Sequence, residues 1–140
     1  MKVMAIDFGE RRVGLAISDP AGLIALPLKT IARESDRQLI RELAALAAAE
    51  GVELIVIGEP RRLDGSRGQS AERVGSFARK LEGVTHLPYR LIDESLTSRQ
   101  AEQRLRTAGL NPLKDPDKVD AVAAQILLAE VLDQSHESDE

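Results

Sequence analysis

Apolar and polar residues alternate from Lys2 to Asp7, the pattern breaks at Phe8-Gly9, and it resumes from Val13 to Ser18, so the chain is expected to open as a β-hairpin. A third strand is predicted from Ala25 to Thr30. Ser35-Asp36-Arg37-Gln38 fits a capping box, and Leu39, Ile40, Leu43 and Leu46 then recur at helical spacing up to Glu50-Gly51. Leu54-Ile55-Val56-Ile57 is wholly apolar and β-branched in character and stops at Gly58, as expected of a central strand covered on both faces. From Glu59 to Gln69 the chain is rich in Pro, Arg, Asp and Gly and reads as a loop. A second helix is predicted from about Ser70 to Leu81, with Val74, Phe77, Ala78 and Leu81 inward, and a further strand from Tyr89 to Ile92. Thr97-Ser98-Arg99-Gln100 is another capping box, opening a helix that carries Ala101, Leu105 and Ala108 until Gly109. The last helix starts near Lys118, with Val119, Val122, Ala123, Ile126 and Leu127 as its expected buried stripe; after Leu132 the polar QSHESDE reads as a frayed tail.

Three strands followed by helix, strand, helix, strand, helix, helix is an α/β order. It predicts a mixed five-stranded sheet, antiparallel over its first three strands and flanked by helices, which is the ribonuclease-H-like ordering. At 140 residues the chain has room for one such domain, over 1–132, with 133–140 as an acidic tail. There is no cysteine, which removes disulfides, thiolate zinc sites and cysteine nucleophiles and suits a reducing cytoplasm. The apolar stretch at the N-terminus is short and interrupted by Asp7, and no run approaches membrane-spanning length, so a soluble, unexported protein with no membrane partner is expected.

The formal charge of −4 argues against a polyanionic partner until its distribution is considered. Glu130, Asp133, Glu137, Asp139 and Glu140 crowd a terminal stretch without Lys or Arg, and the remainder without these five carries +1. Charge therefore permits a phosphate-bearing substrate.

Several acids stand where α/β folds place their sites. Asp7 ends an apolar strand just before Gly9, although Asp and Gly are also ordinary turn residues. Asp93 and Glu94 close the last apolar strand; adjacent strand residues face opposite sides, so one of the two is expected to share a cleft with Asp7. Asp120 lies in the first turn of the last helix, where an acid also simply complements the helix dipole. Ala121, Ala123 and Ala124 are small enough to let that helix approach the sheet, and Asp117 precedes Asp120 by three residues. Oxygen donors from separate segments, with only His86 and His136 as histidines, suit Mg²⁺ or Mn²⁺ better than zinc. Two such ions about 3.5–4 Å apart hydrolyse phosphodiesters without a protein nucleophile. A Ser/His/Asp hydrolase fits less well, because neither histidine lies beside a nucleophile elbow and both read as surface residues.

Arg11, Arg12, Arg61, Arg62, Arg67 and Arg99 cluster along the sequence near these acids and are candidates to hold a phosphate backbone, as are Ser66 and Thr97, although charged loops are more often merely solvated. Gly65, Ser66, Gly68 and Ser70 precede a helix start that would offer backbone N–H groups to a phosphate, unless Ser70 is only an N-cap. Phe8, Phe77 and Tyr89 are the only aromatics, so recognition by base stacking is weak and shape or backbone must dominate.

The segments AIDFGERRVGLAISD, VIGEPRRLDGSRGQSAERVGSFARKL, LIDESLTSRQAEQRL and KVDAVAAQILLAEVL, in this order and over nearly the whole chain, resemble the YqgF/RuvX family. The resemblance implies a ribonuclease-H-like fold and a carboxylate metal site carried onto Asp7, Glu94 and Asp120, choosing Glu94 over Asp93. Asp117 matches loosely the closely spaced acids in the last helix of the related Holliday-junction resolvases and is a candidate fourth ligand. The implied activity is a metal-dependent nuclease maturing the 5′ end of precursor 16S ribosomal RNA. Two residues depart from the pattern: Glu59 stands where an apolar residue usually separates Gly from Pro, and Ser95 where an Arg often follows the Asp-Glu pair. The first adds negative charge near the expected substrate path and the second removes a phosphate partner.

Structured RNA is thus the expected partner and branched DNA the alternative. Symmetric junction resolution needs two active sites and hence a homodimer, whereas trimming an RNA end is open to a monomer. An actin-like ATPase also begins with strand, Asp, Gly-turn and strand, but needs two lobes around its nucleotide. A non-catalytic RNA- or protein-binding module is the remaining reading, in which the acids serve structure alone.

Overall fold

The computed structural model describes residues 1–9, 11–59, 68–93, 103, 107 and 116–138. The opening alternation forms strands β1 (Val3–Phe8) and β2 (Arg12–Ser18), joined to β3 (Ala25–Ala32). Helix α1 (Asp36–Glu50) leads to β4 (Leu54–Glu59), helix α2 (Gly68–Thr85) to β5 (Tyr89–Asp93), and helix α3 (Pro116–Ser138) closes the described chain. The sheet order is β3-β2-β1-β4-β5. β1 pairs antiparallel with β2, and β2 antiparallel with β3, while the β1–β4 and β4–β5 pairs are parallel. This is the predicted mixed sheet, with β4 interior as its unbroken apolar run requires.

The alternation of β1 decides which helices cover which face. Met4, Ile6 and Phe8 enter the larger core with Leu39, Leu43, Val74, Phe77 and Leu81, which α1 and α2 supply. Val3 and Ala5 point the other way and pack with Ala16 and Val56 against Ala124, Leu127, Leu128, Val131 and Leu132 of α3. Bulky residues thus face two helices and small ones face one, so α3 lies close to the sheet.

α1 begins and ends as the sequence predicts. The Ser35 side chain accepts from the Gln38 N–H at 3.1 Å, and Gly51 closes the helix in the left-handed region at φ 69°. α2 is longer than its apolar pattern suggests: it starts at Gly68, which places Ser70 inside the first turn and not at the N-cap, and it runs to Thr85. Its last turn contains exposed Val84, and the helix is stopped by the following His86, whose φ of 58° gives it the terminating role usually taken by Gly, with its N–H bonded to the Glu82 carbonyl at 2.8 Å.

In α3 the expected single stripe divides in two. Leu127 faces the sheet, but Ala123 and Ile126 form a separate cluster with Val122. A helix apolar on more than one side has no unique helical period from which to read its sheet face. α3 also continues to Ser138, past Leu132 where the sequence pattern ended the domain. The predicted helix over 97–109 lies outside the described residues except at Gln103 and Thr107, which are helical, the Thr107 hydroxyl donating to the Gln103 carbonyl at 3.0 Å. Among the described residues no helix is long and apolar enough to cross a membrane.

Candidate functional site

Asp7 is the next α3-facing position after Val3 and Ala5, so the acid falls where that apolar face of β1 runs out. It is partly buried and pairs across the ladder with Gly14 of β2. Gly14 has no room for a side chain: a Cβ there would fall on the Asp120 carbonyl and lie 2.9 Å from the Ala121 nitrogen. The backbone of α3 therefore rests on β2 beside Asp7, since directly opposed residues in an antiparallel pair have Cα atoms about 4.5–5.5 Å apart.

Asp120 belongs to the same helical row as Ala124 and Leu128, the residues that face the sheet. It is the polar N-terminal end of that apolar row, as Asp7 is the polar end of the β1 row. The close approach foreseen from the alanines of α3 is thus met from the opposite side by a glycine in a strand, a position that often marks an approaching backbone. That signal is present in VGLAIS, where a lone Gly interrupts an otherwise apolar strand.

Arg12, a residue expected to touch substrate, donates its Nε to Asp120 Oδ2 at 2.7 Å. The pair is partly exposed, with the Arg12 side chain 42% and the Asp120 side chain 22% accessible, so its main consequence is orientation of the carboxylate; net stability from such a pair is small. Arg11 is exposed in the β1–β2 turn, and its carbonyl accepts from the Arg33 N–H at 2.8 Å.

Glu94, Arg61, Arg62, Gly65, Ser66, Arg67, Ser95, Thr97 and Arg99 lie outside the described residues. Asp117 is in the first turn of α3, Asp93 ends β5 and Glu59 ends β4, but their side chains are likewise outside the described set. Among the described residues no three acidic or histidine side chains converge closely enough to share an ion. What the structure brings together is Asp7, Gly14, Arg12 and Asp120. His86 is exposed, in accord with its reading as a surface residue, and the His136 side chain is outside the described set. A groove of about 620 Å³ between α1 and α2, lined by Ile40, Arg41, Lys80 and Val84 among others, lies on the opposite face of the sheet from the acids.

A five-stranded sheet in this order, with helices on both faces, defines the ribonuclease-H-like class. In fold the chain is similar to Thermus thermophilus RuvC in complex with a Holliday junction substrate (TM-score 0.57, 15% identity, 94% of each chain covered). It is similar also to the Fowlpox virus resolvase in complex with Holliday junction DNA (TM-score 0.57, 9% identity, 94% of this chain and 99% of that one). The chain belongs to the RuvX family, described as a Holliday junction resolvase family, whose model matches residues 1–134. Relatives named "Putative pre-16S rRNA nuclease" include one from Syntrophus aciditrophicus, 41% identical over 133 residues with 95% of this chain and 89% of the relative covered. Another, from Maridesulfovibrio salexigens, is 44% identical over 128 residues, with 91% of this chain and 95% of the relative covered.

Proposed function

We propose that this chain is a divalent-metal-dependent nuclease that hydrolyses phosphodiester bonds in structured RNA and processes the 5′ end of precursor 16S rRNA. The observation that carries this reading is the meeting of two carboxylate-bearing residues, Asp7 and Asp120, at one end of the sheet, where Gly14 admits the backbone of α3. The donor set fits a hard cation: both groups offer carboxylate oxygens, and the sequence has no cysteine. Asp7 and Asp120 would hold the metal, joined by Glu94, which lies two residues beyond the α3-facing Ile92, and by Asp117 as a fourth donor. The chemistry that two Mg²⁺ or Mn²⁺ ions supply when bound is Lewis acidity and activation of water near neutral pH. The chain's own contribution is to fix its carboxylates: Asp7 by strand pairing on both sides of β1, and Asp120 by the Arg12 guanidinium. Arg11, exposed in the β1–β2 turn, and Arg12, Arg61, Arg62, Ser66, Arg67, Thr97 and Arg99 are assigned to the backbone of the substrate from their sequence positions.

The test is cleavage of a precursor 16S 5′-leader RNA and of a four-way DNA junction by the full chain with Mg²⁺ or Mn²⁺. RNA cleavage is expected, with Asp7→Asn lowering it by on the order of a hundredfold or more while circular dichroism stays unchanged. Junction cleavage with inert RNA would transfer the assignment to the family's resolvase activity. Undiminished activity in Asp7→Asn would leave the acids a structural role only.

A further inference from the structure

Arg33 lies just beyond β3 and is almost wholly buried, its side chain 10% accessible. Burying a guanidinium is costly unless each part of it finds a partner, and here each does. Nε and Nη2 both donate to Asp36 Oδ1, at 3.1 and 2.9 Å. Nη1 donates to the Gly9 carbonyl at 3.4 Å. The guanidinium carbon stands 4.4 Å from the centre of the Phe8 ring, which also packs against Phe77 with ring centres 4.6 Å apart. The backbone N–H of Arg33 adds a bond to the Arg11 carbonyl at 2.8 Å.

All of these contacts on the hairpin side fall on Phe8, Gly9 and Arg11, the turn between the strand that carries Asp7 and the strand that carries Arg12. The turn is tight: the Gly9 N–H bonds the Arg12 carbonyl at 3.1 Å, and a Cβ on Gly9 would collide with that same carbonyl. Phe8 and Asp7 are neighbours on opposite faces, so clamping the Phe8 ring from the α1 side fixes the rotation of the strand end about its axis. That rotation aims the Asp7 carboxylate.

We propose that Arg33 is a positioning residue for the metal site, acting through Phe8 and Gly9 on Asp7 and touching neither metal nor substrate. The inference rests on the metal reading of Asp7. It follows from a general demand of such sites: ligands must be held to about 0.5 Å, and loss of a supporting contact typically costs 10- to 100-fold in metal affinity. Asp36, the first residue of α1, completes the clamp by accepting both guanidinium donors, so the start of that helix is braced against the site through the sheet.

The experiment is Mn²⁺ binding to the full chain by calorimetry, well below every variant's melting temperature. The set is the native chain, Asp7→Asn, Arg33→Met, Arg33→Lys and Val131→Ala, a core truncation on α3 about three turns beyond Asp120. Arg33→Met is expected to weaken Mn²⁺ binding about tenfold or more. Arg33→Lys, which keeps the cation beside Phe8 but cannot span Asp36 and Gly9 together, is expected to fall between it and the native chain. Val131→Ala should lower the melting temperature and leave Mn²⁺ affinity untouched. Native affinity in Arg33→Met, whatever its melting temperature, reduces the clamp to ordinary packing and overturns the inference. If Asp7→Asn also binds Mn²⁺ like the native chain, the metal reading has failed and the positioning role falls with it.

Discussion

At Gly14 the absence of a side chain has a geometric cause, since the place of a Cβ is occupied by the carbonyl of Asp120. The obstacle is backbone, which cannot rotate away as a flexible side chain would. Gly14→Ala is therefore expected to destabilise by about 3 kcal/mol, the upper end of the usual overpacking range, and to push Asp120 away from Asp7. Urea denaturation checks the first part and Mn²⁺ calorimetry the second; a stable variant with native Mn²⁺ affinity would show that the close approach is dispensable. Asp19 gives a separate expectation, about pH. Its carboxylate accepts from the Ile24 N–H at 2.8 Å and the Leu23 N–H at 2.7 Å, and these bonds, led by that from Ile24, hold its pKa below the ordinary aspartate value. A depressed folded-state pKa gives stability that is present above the unfolded value, near pH 4, and lost as pH falls through the folded one. The melting temperature of Asp19→Ala should thus decline less steeply below about pH 4 than that of the native chain, and parallel curves would remove Asp19 from the acid response. The place of Asp7 near the end of β1 is legible because a lone acid closing an apolar run before Gly is conspicuous. The contacts that Arg12 and Arg33 make are not legible, because an arginine's sequence neighbours do not reveal which carboxylate or aromatic ring it meets.

Among the elements, legibility follows the number of independent local signals. α1 carried three: a capping serine, an apolar row at helical spacing and a glycine at its end, and the structure uses each of them. Ser35→Ala should accordingly cost about 1 kcal/mol, seen as a lower urea midpoint with an unchanged slope, and Ser35→Asn should recover most of it. If Ser35→Ala is neutral, the Gln38 N–H finds water as good a partner as the hydroxyl. α3 carried a weaker signal despite being the helix that brings Asp120 to the sheet. Its alanines and branched aliphatics are buried in two clusters, so helical spacing named the buried residues without naming which of them meet the sheet. The N-terminus of α2 is poorly legible for a related reason: Ser70 looks like a cap, but the helix already contains Gly68. The order and pairing of the strands were legible because a two-residue alternation, an unbroken apolar run and intervening helical patterns leave few arrangements open.

For the molecule as a whole, the division of the sheet into a face of large side chains and a face of small ones places the acids at one end of the thinner layer, while the charge balance bears on whether a polyanion can approach. Asp133 and Gln134 are exposed, and Asp133, Glu137, Asp139 and Glu140 all lie in 133–140. Removing that segment takes the formal charge from −4 to zero without removing any buried residue described here. If 1–132 is the folding unit, the shortened chain should lose no more than about 1 kcal/mol of stability, since surface changes away from packing and caps are seldom larger. The same deletion should tighten RNA binding at low ionic strength, and the gain should shrink as salt brings the Debye length from about 30 Å at 0.01 M to about 10 Å at 0.1 M. Fluorescence anisotropy with Asp7→Asn chains, which keep the RNA intact, separates this from cleavage. A gain that persists at 0.1 M salt would point to a direct block by the segment in place of long-range repulsion. An unchanged affinity at both salts would mean that the substrate approaches a surface the acidic end does not influence. A large loss of stability would instead mark 133–138 as part of the packed domain, consistent with the continuation of α3 to Ser138.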